Sequence, residues 1–565
     1  MSSVQTFLIE DPRISKTANN SITVGVKSGP AHSTVQSYKF NSNTSSNTLF
    51  NINVPSENTL IDRHILVRGT LKFDLHFKNS LANDYDVELA SAAFPFNQAL
   101  QSASMNINNS KVNVQTQDIL NVVLKQFDQK YLSKHCQGTA NYIDKYYMEF
   151  SNFEPYGNAD PFGDFNNAEK DSDTVGRGSA FVKFTPGTGV TRIGATNTFT
   201  IDQATGGAAE DVIIAVEINF EEPIIGMPCV SMQENDGCFS GVNQLELSFQ
   251  YNQAFEKCIN IRTDQLPVDV VVSSSVSTQA LSEDSVVVLR YYSLHPSQYA
   301  KLSKKSVIPY DEMVPYKLPF SYAGSNNQMS NIISLRQIPD KLYVTIRPKA
   351  TALHSMYSNH TVAPITSINM TFNNVAGLLS DMKQSDLYHM SRRNGSQQVW
   401  NEFKGMVQVR NQSLNTIGSM VVIDCTRDLG LDDMLSASSL GQFSLQMTVS
   451  YEPIPDIVDY ELVILANYAG LLVTQQGSSS TMSGLLTKEA VITAKSKGSS
   501  NIDYDDIQKV SGGNIYKQGK AEVGRLLKSE RGRIARAVDD KADGATDSAA
   551  KGLKAMAHDK LAKYY

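Results

Sequence analysis

The stretch Gly241-Val-Asn-Gln-Leu245-Glu-Leu247-Ser-Phe249-Gln-Tyr251 recurs without gaps as Gly441-Gln-Phe-Ser-Leu445-Gln-Met447-Thr-Val449-Ser-Tyr451. From Leu245 to Tyr251 every second residue is apolar, and the same positions of the second copy are apolar as well. Residues two apart lie on one face of a β-strand, so each copy predicts a strand with one buried face. A strand that occurs twice is the first sign of an internal repeat.

Four further landmarks occur twice in the same order as this strand. One pair ends in Asn-Asn, which tolerates positive φ and predicts a tight turn. Another pair is almost continuously apolar and predicts a strand that is buried on both faces. The five landmarks together predict that one β-sandwich was duplicated in tandem. The four further pairs are Ser37-Tyr38-Lys39-Phe40 with Pro315-Tyr316-Lys317-Leu318, Ile61-Asp62-Arg63-His64-Ile65-Leu66-Val67 with Ile338-Pro339-Asp340-Lys341-Leu342-Tyr343-Val344, Met105-Asn106-Ile107-Asn108-Asn109 with Met370-Thr371-Phe372-Asn373-Asn374, and Val286-Val287-Val288-Leu289-Arg290-Tyr291-Tyr292 with Leu462-Val463-Ile464-Leu465-Ala466-Asn467-Tyr468.

Size and composition favour two large β domains. The chain has 565 residues, whereas single hydrophobic cores stop growing near about 250 to 300 residues. Charged residues make up only 19% of the chain, which suits half-buried strands and polar loops better than long solvated helices. The net charge of -7 argues against a body that binds nucleic acid over its whole surface. We therefore predict an all-β body of two successive sandwiches.

The repeat and the composition also set the predicted limits of each part. We expect an N-terminal arm at 1–29, a first sandwich at 30–295, a bridge at 296–308, a second sandwich at 309–475 and a flexible basic tail with short helices at 476–565. The first sandwich holds far more chain than the second between its Asn-Asn turn and the quoted strand, chiefly residues 135–209. Because long surface insertions cost little closure entropy, we expect this excess to leave the sandwich and project from its outer face.

A search for catalytic and metal-binding motifs gives no candidate. The chain has no Walker A pattern, Rossmann fingerprint, Gly-x-Ser-x-Gly elbow or His-Glu-x-x-His helix. Asp171-Ser-Asp173-Thr-Val175-Gly176 begins like a calcium loop, but Val175 and Val182 stand where oxygen ligands are needed. The pairs His354 with His360 and His135 with Cys136 lack further zinc ligands at a suitable spacing. We expect no catalytic residues, no cofactor and no metal.

The cysteines and the N-terminus favour synthesis in the cytosol. Five cysteines without a Cys-x-x-Cys pair predict reduced, mostly buried thiols. The N-terminus lacks a basic region followed by an apolar stretch and a cleavage site, so we expect no secretory signal. The longest apolar stretch, Leu462 to Val473, is shorter than the roughly 20 residues that a membrane-spanning helix needs.

Several segments of the chain resemble those of a known family. In the first half these are Ala93-Phe94-Pro95-Phe96-Asn97-Gln98 and the run from Tyr291-Tyr292-Ser-Leu-His295-Pro296 to Ile308-Pro309-Tyr310. In the second half they are Asn373-Asn374-Val-Ala-Gly377-Leu-Leu-Ser380, Asp386-Leu387-Tyr388 and Ser391-Arg392-Arg393-Asn394-Gly395. Over roughly residues 30 to 475 the chain resembles double jelly-roll major capsid proteins, in particular those of polinton-like viruses, virophages and related small double-stranded DNA viruses.

The resemblance implies a structural role in a virion and no catalytic residues. Each sandwich would be a jelly roll, and three copies of the chain would give six upright sandwiches with a pseudo-hexagonal outline. Such homotrimers would tile an icosahedral shell. The implied partners are further copies of the chain, penton proteins and minor capsid proteins, and the implied location is the virion capsid.

The tail after residue 476 lies outside the resemblance and differs in composition from the body. From residue 517 to 536 it is basic, with Glu522 and Glu530 as its acidic side chains and an apolar helical face that Gly524 and Gly532 weaken. A basic segment on an acidic chain predicts an anionic or protein partner. We expect it to face the virion interior and to contact genomic DNA, an inner membrane or a minor capsid protein. The candidate contact residues are Lys517, Lys520, Arg525, Lys528, Arg531, Arg533 and Arg536.

Two other classes of protein use the same kind of sandwich. A jelly-roll carbohydrate-binding or host-attachment virion protein would present an aromatic platform or a calcium site, and the single tryptophan, Trp400, stands between polar neighbours. A duplicated cupin enzyme would need a histidine-rich metal cluster on a pair of strands. Both alternatives are weaker than the capsid interpretation on these grounds.

Overall fold

The structure of the protein is a computed structural model that describes most of the body. The described residues are 6–9, 24–27, 32–55, 59–79, 83–127, 174–177, 180–193, 197–202, 210–229, 238–263, 270–293, 305–349, 361–409, 412–431, 437–454, 457–475, 477–483 and 486–487. They fold into β-sheets with short helices between the strands. The expectations for residues 135–173 and 488–565 lie outside this part of the chain.

The first half of the chain supplies twenty strands, two α-helices and a short 3-10 helix. The strands are β1 (Thr6–Ile9), β2 (Val24–Lys27), β3 (His32–Lys39), β4 (Ser42–Asn43), β5 (Asn47–Asn53), β6 (Thr59–Asp62), β7 (Leu66–Asn79), β8 (Tyr85–Ser91), β9 (Leu100–Ile107), β10 (Ser110–Val114), β11 (Thr174–Arg177), β12 (Ala180–Pro186), β13 (Val190–Arg192), β14 (Thr198–Ile201), β15 (Glu210–Pro223), β16 (Cys238–Phe239), β17 (Gln244–Tyr251), β18 (Ile259–Thr263), β19 (Val270–Ser275) and β20 (Val286–Ser293). The helices are α1 (Pro95–Ala99), α2 (Thr116–Gln126) and the 3-10 helix Phe255–Cys258. All of these numbers refer to the described residues.

The second half supplies thirteen strands and three α-helices among the described residues. The strands are β21 (Lys305–Ser321), β22 (Asn327–Met329), β23 (Ile333–Gln337), β24 (Lys341–Pro348), β25 (Ile365–Phe372), β26 (Val375–Leu378), β27 (Met406–Val409), β28 (Gln412–Asn415), β29 (Val421–Asp424), β30 (Ser439–Tyr451), β31 (Asp459–Gln475), β32 (Ser478–Ser483) and β33 (Leu486–Thr487). The helices are α3 (Gln384–Arg393), α4 (Trp400–Lys404) and α5 (Cys425–Asp428).

The two halves contain sandwiches with the same strand order. In the first half one sheet runs β3-β20-β7-β15 and the facing sheet β5-β17-β9-β10; in the second half the sheets run β21-β31-β24-β29 and β23-β30-β25-β26. When the eight strands of each sandwich are numbered from 1 to 8 in chain order, one sheet has the order 1-8-3-6 and the other 2-7-4-5 in both halves. This antiparallel arrangement of eight strands is a jelly roll, so the predicted all-β fold of two tandem jelly rolls is confirmed.

The strand quoted at the outset occupies the same place in both sandwiches. It forms β17 in the first and the second part of β30 in the other, and its neighbour on one side is the strand that ends in Asn-Asn. Leu245 pairs with Ile107 and Leu247 with Met105 in the first sandwich, as Leu445 pairs with Phe372 and Met447 with Met370 in the second. The predicted tight turns are present after both strands, and Asn108, Asn373 and Asn374 all have positive φ there.

The apolar landmark strands are also equivalent, but one residue out of step with the alignment made from the sequence. Val287 of β20 pairs with Tyr38 on one side and Val67 on the other. Ile464 of β31 pairs in the same way with Tyr316 and Val344. The structural partner of Val287 is therefore Ile464, and not Val463 as the apolar runs suggested. A continuous apolar run has no period of two, so it cannot fix the register.

The prediction that residues 135–209 leave the sandwich was wrong for the described second part of that range. Strand β12 pairs along its length with β15, and β11 adds to its outer side. Strand β14 pairs with β8 in a separate four-stranded sheet. Val182, Phe184 and Phe199 are fully buried in the first core. These segments alternate apolar and polar residues. Such alternation is typical of paired strands with one buried face and not of projecting loops.

The predicted ends of the second sandwich also need correction. Strand β21 begins at Lys305, inside the predicted bridge, and pairs with β31 as far as Gln475. The Ser-rich stretch after residue 476, at the start of the predicted flexible tail, forms β32, which pairs with β31 from Gly470 to Gln475. Strand β33 then adds to β30. Serine does not prevent strand formation when the backbone N–H and C=O groups find partners in a sheet.

Candidate functional site

The two sandwiches share one sheet, β21-β31-β24-β29, whose two faces are both buried. Along β31, Leu462, Ile464 and Ala466 belong to the core of the second sandwich. The intervening Val463 and Leu465 belong to the core that contains the first sandwich. Successive side chains of a strand point to opposite faces, so this one strand contributes to both cores. The predicted burial of this strand on both faces is thereby explained.

The neighbouring strands show the same division. In β29, Val421 and Ile423 pack into the second core, whereas Val422 packs into the first. In β24, Tyr343 lies in the first core, and it is fully buried. Each side chain buried at this junction contributes roughly 1.5–3 kcal/mol relative to exposure to water. The shared sheet is therefore buried between the two hydrophobic cores and contributes to both.

Helix α2 of the first sandwich brings a buried carboxylate to the edge of this junction. The Asp118 side chain is 1% exposed, and its oxygens lie 2.6 Å from Arg347 Nη2 and 3.2 Å from Lys317 Nζ. Arg347 Nη2 also lies 2.7 Å from Glu461 Oε2. Burial alone would lower the pKa of Arg347, but the attraction of Asp118 and Glu461 raises it above its usual value. The cluster connects α2 to β24 and β31 of the other sandwich.

A second buried carboxylate holds the segment that carried the family resemblance in the first half. Glu222, at the end of β15, is fully buried and accepts hydrogen bonds from the backbone N–H groups of Phe96 and Asn97, each at 3.1 Å. The Asn97 Nδ2 donates to Glu222 at 2.9 Å and to the Pro223 carbonyl at 3.0 Å. Burial raises the pKa of Glu222 to about 7, although these hydrogen bonds favour its ionised form. The carboxylate thus fixes α1 against the sheet β3-β20-β7-β15 of the first sandwich.

The chain crosses back to the first sandwich after β31. We call residues 474–475 and 477–483 the strap. The Thr474 hydroxyl donates to the Ser240 carbonyl at 2.7 Å, and the Gly477 N–H donates to the Gly241 carbonyl at 2.9 Å. The Ser479 N–H donates to Asn109 Oδ1 at 2.8 Å and its hydroxyl to the Ile107 carbonyl. The strap therefore fastens the Asn-Asn hairpin of the first sandwich to β31.

Glycine is required at one position of the strap. Gly477 has φ +77°, a left-handed conformation that side chains disfavour. A Cβ atom there would also lie 2.6 Å from the Asn243 side chain. The start of the predicted flexible tail thus contains a residue whose left-handed backbone conformation favours glycine.

The residues that the sequence singled out for function are mostly outside the described part of the chain. This holds for the basic side chains of the tail, for His135 and Cys136, for His354 and His360, and for Asp171 and Asp173. Val175 and Val182, which argued against a calcium loop, pair with each other between β11 and β12. Trp400 packs partly buried against the second core, edge to face with Tyr388 at 5.3 Å, so it is not an open aromatic platform.

The described residues contain neither a candidate metal cluster nor a helix that could cross a membrane. No group of three or more His, Cys, Asp or Glu side chains in that part could hold a metal ion. Within the same residues, no helix combines the length and apolarity needed to cross a bilayer. The four described cysteines are free, and Cys229, Cys258 and Cys425 are buried, as predicted.

Three hydrogen-bonded side chains on the outer face of the sheet that contains β7, β15 and β19 are connected in the order of a hydrolase triad. His76 Nε2 lies 2.7 Å from Ser275 Oγ, and His76 Nδ1 lies 3.0 Å from Asp211 Oδ2. Ser275 is exposed, and the Asp211 side chain is 50% exposed. Covalent catalysis by such a triad depends on a dry site with donors aimed at the developing oxyanion. On this open sheet face the three side chains act as cross-strand links between β7, β15 and β19.

The key residues of the junction were not predicted from the sequence. Asp118, Arg347 and Glu461 each stand in or at the end of an apolar run, and a charge in such a place indicates a buried partner. That signal could have marked them as a set. It could not have paired them, because Arg347 lies 229 residues from Asp118 and 114 residues from Glu461 in the chain.

Comparisons with known proteins agree with this architecture in both halves. A family model described as the Sputnik virophage major capsid protein first domain matches residues 2–292, and one described as the major capsid protein V20 C-terminal domain matches residues 318–470. A curated relative, the putative capsid protein V20 of Sputnik virophage, is 24% identical over 550 residues, which cover 92% of this chain and 86% of the relative.

Solved structures show the same fold. A chain from the cryo-EM structure of the Sputnik virophage has a TM-score of 0.64 and 21% identity, covering 91% of this chain and 100% of that chain. The crystal structure of the mavirus major capsid protein has a TM-score of 0.62 and 14% identity, covering 86% of this chain and 97% of that one.

Two jelly rolls joined through a shared sheet, with matches to capsid proteins over both halves, place the chain in the class of double jelly-roll major capsid proteins. Within that class, the chain belongs to the family of the Sputnik virophage major capsid protein. It is a structural protein of the virion, and its place is the icosahedral capsid.

The ionic cluster at the junction yields the first prediction. Asp118→Asn removes the charge that Arg347 and Lys317 face, and the loss of one partner of a buried ion pair is expected to lower the free energy of unfolding by about 3 kcal/mol. The matched control is Glu217→Gln, which breaks the exposed pair with Lys72 and should cost less than about 1 kcal/mol. Chemical denaturation of both variants measures the difference, and equal losses would contradict the structural role of Asp118.

Glu222 yields a prediction about pH. Its pKa is raised from 4.5 to about 7 in the folded chain, so between these values the folded state holds a proton that the unfolded state releases. Stability should therefore fall as pH rises from about 4.5 to 7, by a few kcal/mol in total. Glu222→Gln imitates the protonated form.

Thermal unfolding from pH 4.5 to 8 tests this directly. The slope of stability against pH should be shallower in Glu222→Gln than in the unmodified chain. A control variant, Glu246→Gln on the polar face of β17, should keep the original slope. Parallel curves for all three proteins would show that Glu222 does not titrate in this range.

Proposed function

We propose that the chain forms homotrimeric capsomers with a pseudo-hexagonal outline and that these tile the icosahedral shell. The observation that carries the proposal is the pair of sandwiches with identical strand order, held side by side by one sheet. A subunit of this kind presents two similar lateral units in a fixed relation. Three of them around a threefold axis give six similar sides.

The rigid junction supports this proposal energetically. Lateral contacts between capsomers are repeated over the whole shell, so a subunit with a hinge between its sandwiches would lose entropy at every contact. A subunit whose two sandwiches are already fixed relative to each other loses little entropy at these contacts. Six similar sides then allow one gene product to make quasi-equivalent contacts in facets and across their edges.

We further propose that the chain acts without catalysis or a cofactor and that its other partners are penton and minor capsid proteins. The N-terminal residues 1–29 would be an arm. The segment after β33 would be a tail that faces the virion interior and contacts genomic DNA, an inner membrane or a minor capsid protein. The support for the tail is its charge, with seven basic side chains between residues 517 and 536 against two acidic ones.

The trimer is tested by mass and by shape. The purified full-length chain should elute with a mass near three times 62.1 kDa and show hexagonal outlines in negative-stain micrographs. Light scattering coupled to gel filtration gives the mass without an assumption about shape. A monodisperse monomer at micromolar concentration would contradict the proposal.

The tail is tested by truncation after Thr487. This limit keeps the strap and β33, which pair with the body, and removes only residues 488–565. The truncated chain should still form trimers but should assemble fewer particles or retain less genome. A second variant replaces the seven basic tail residues by glutamine, and the matched control replaces the exposed body lysines Lys111 and Lys183. Normal particles from the truncated chain would refute an interior role of the tail.

A further inference from the structure

Each sandwich takes part in the junction with a different surface. The first contributes the side that carries α2 and β10, and the second contributes the outer face of β21 and β31. Because both sandwiches have the same strand order, each also has a surface equivalent to the one that the other uses. We call the α3 and β26 side of the second sandwich the helix side, and the outer face of β3 and β20 in the first sandwich the sheet face.

Helices α2 and α3 occupy the same place in their sandwiches and begin in the same way. Each follows the fifth strand of its sandwich and precedes the sixth. Asp118 and Asp386 are each the third residue of their helix, and the backbone N–H of each donates to the carbonyl of the residue just before the helix. The next residue, Ile119 or Leu387, is buried in the core of its own sandwich. Asp386 on the helix side is therefore equivalent to Asp118.

Two lysines are equivalent on the first strands of the sandwiches. Tyr38 pairs with Val287 of the eighth strand as Tyr316 pairs with Ile464, which fixes the register. Lys39 and Lys317 come directly after these tyrosines. Tyr38 packs against the first core and Tyr316 against the second. Successive side chains of a strand point to opposite faces, so both lysines belong to the outer face of their sheet.

Inside the chain these equivalent positions form a contact, and on the two other surfaces they are exposed. Lys317 Nζ lies 3.2 Å from the Asp118 carboxylate, whose side chain is 1% exposed. Lys39 of the sheet face and Asp386 of the helix side are both exposed. Asp386 accepts a hydrogen bond from the Lys383 backbone N–H, and within the described part of the chain neither side chain has a salt-bridge partner.

Exposed apolar side chains lie at equivalent positions as well. By the same register Val35 is equivalent to Met313, which packs against the first core and lines a small cavity together with β10. Val35 is 55% exposed, and Val375 of β26, the strand equivalent to β10, is 57% exposed. Single exposed apolar side chains are common on protein surfaces. These two, however, lie on strands whose equivalents are in contact inside the chain.

We propose that the helix side of one copy of the chain binds the sheet face of a second copy, with Asp386 paired to Lys39. Val35 then lies beside β26, close to Val375. The inference rests on the proposed homotrimer and names the contact that holds the copies together. A second copy is the partner because each surface is equivalent to one that already binds the other inside the chain. Opposite charges at matching positions favour this orientation over others.

The contact between copies should be weaker than the junction inside the chain. Asp118 faces both Arg347 and Lys317. At the position equivalent to Arg347 the first sandwich has Thr70, so Asp386 meets one cation where Asp118 meets two. Contacts that rely on one pair of charges weaken as salt rises. Trimers should therefore dissociate at high salt before the sandwiches unfold.

The experiment is a charge swap in the full-length chain. Asp386→Lys and Lys39→Asp each place like charges opposite each other, so each should raise the dissociation constant of the trimer about tenfold or more. The double variant restores opposite charges and should recover most of the affinity. Light scattering over a dilution series measures the mass. Both positions are exposed, so thermal unfolding of each variant at low concentration should match that of the unmodified chain diluted to monomers.

A control and three outcomes separate this contact from the trimer itself. Glu246→Lys, on the polar face of β17 and away from both surfaces, should leave the trimer unchanged. If the unmodified chain is trimeric and both single reversals leave its affinity unchanged, the contact is wrong and the trimer stands. If the single variants dissociate but the double variant does not recover, Asp386 and Lys39 are not partners. A monomeric unmodified chain would overturn the trimer and this contact together.

Discussion

The structure depends on a single sheet that is buried on both faces. Because side chains alternate along β31, Val463 and Leu465 face one core while Leu462 and Ile464 face the other. Neither face can be exposed without loss of a core, so the two sandwiches cannot separate and remain folded. An interface between ordinary tandem domains is smaller and more polar, and it permits relative motion. Here the two sandwiches form one body.

Polar groups surround this apolar junction and add orientation to it. The pair of Asp118 with Arg347 fixes how α2 lies on the shared sheet, and Glu222 fixes α1 beside it. Buried ion pairs contribute little net stability, because desolvation offsets most of the Coulomb attraction. Their geometry is nevertheless specific, since a displaced helix would leave a buried charge without a partner. The apolar contacts therefore supply the stability, and the ionic contacts select one arrangement of the two sandwiches.

The sequence predicted the fold and the repeat but not the junction. Alternation at Leu245, Leu247 and Phe249 has a period that only a strand satisfies, so the strand and its counterpart near Leu445 could be recognised directly. The run from Leu462 to Tyr468 has no period, which is why its alignment with the first copy was one residue out. The second part of residues 135–209 was taken for a projection because the second sandwich holds no equivalent length of chain, but this part includes β12, which pairs with β15. The charges that pair across the junction stand beside apolar runs, but nothing in either half shows that Asp118 and Arg347 are partners.

The strap shows how composition can mislead when backbone contacts decide the structure. Gly477 and the serines after it suggest a linker, yet Ser479 binds the Asn-Asn hairpin through its N–H and hydroxyl while the neighbouring backbone extends the shared sheet. The hairpin turn of the first sandwich and the end of the second are therefore fastened together at one place. Strand β33 then pairs with β30 of the second sandwich, so any segment that continues from β33 starts from a point fixed to the body. A tail attached there inherits the orientation of the whole subunit, which is the property that an inward-facing segment of a shell protein requires.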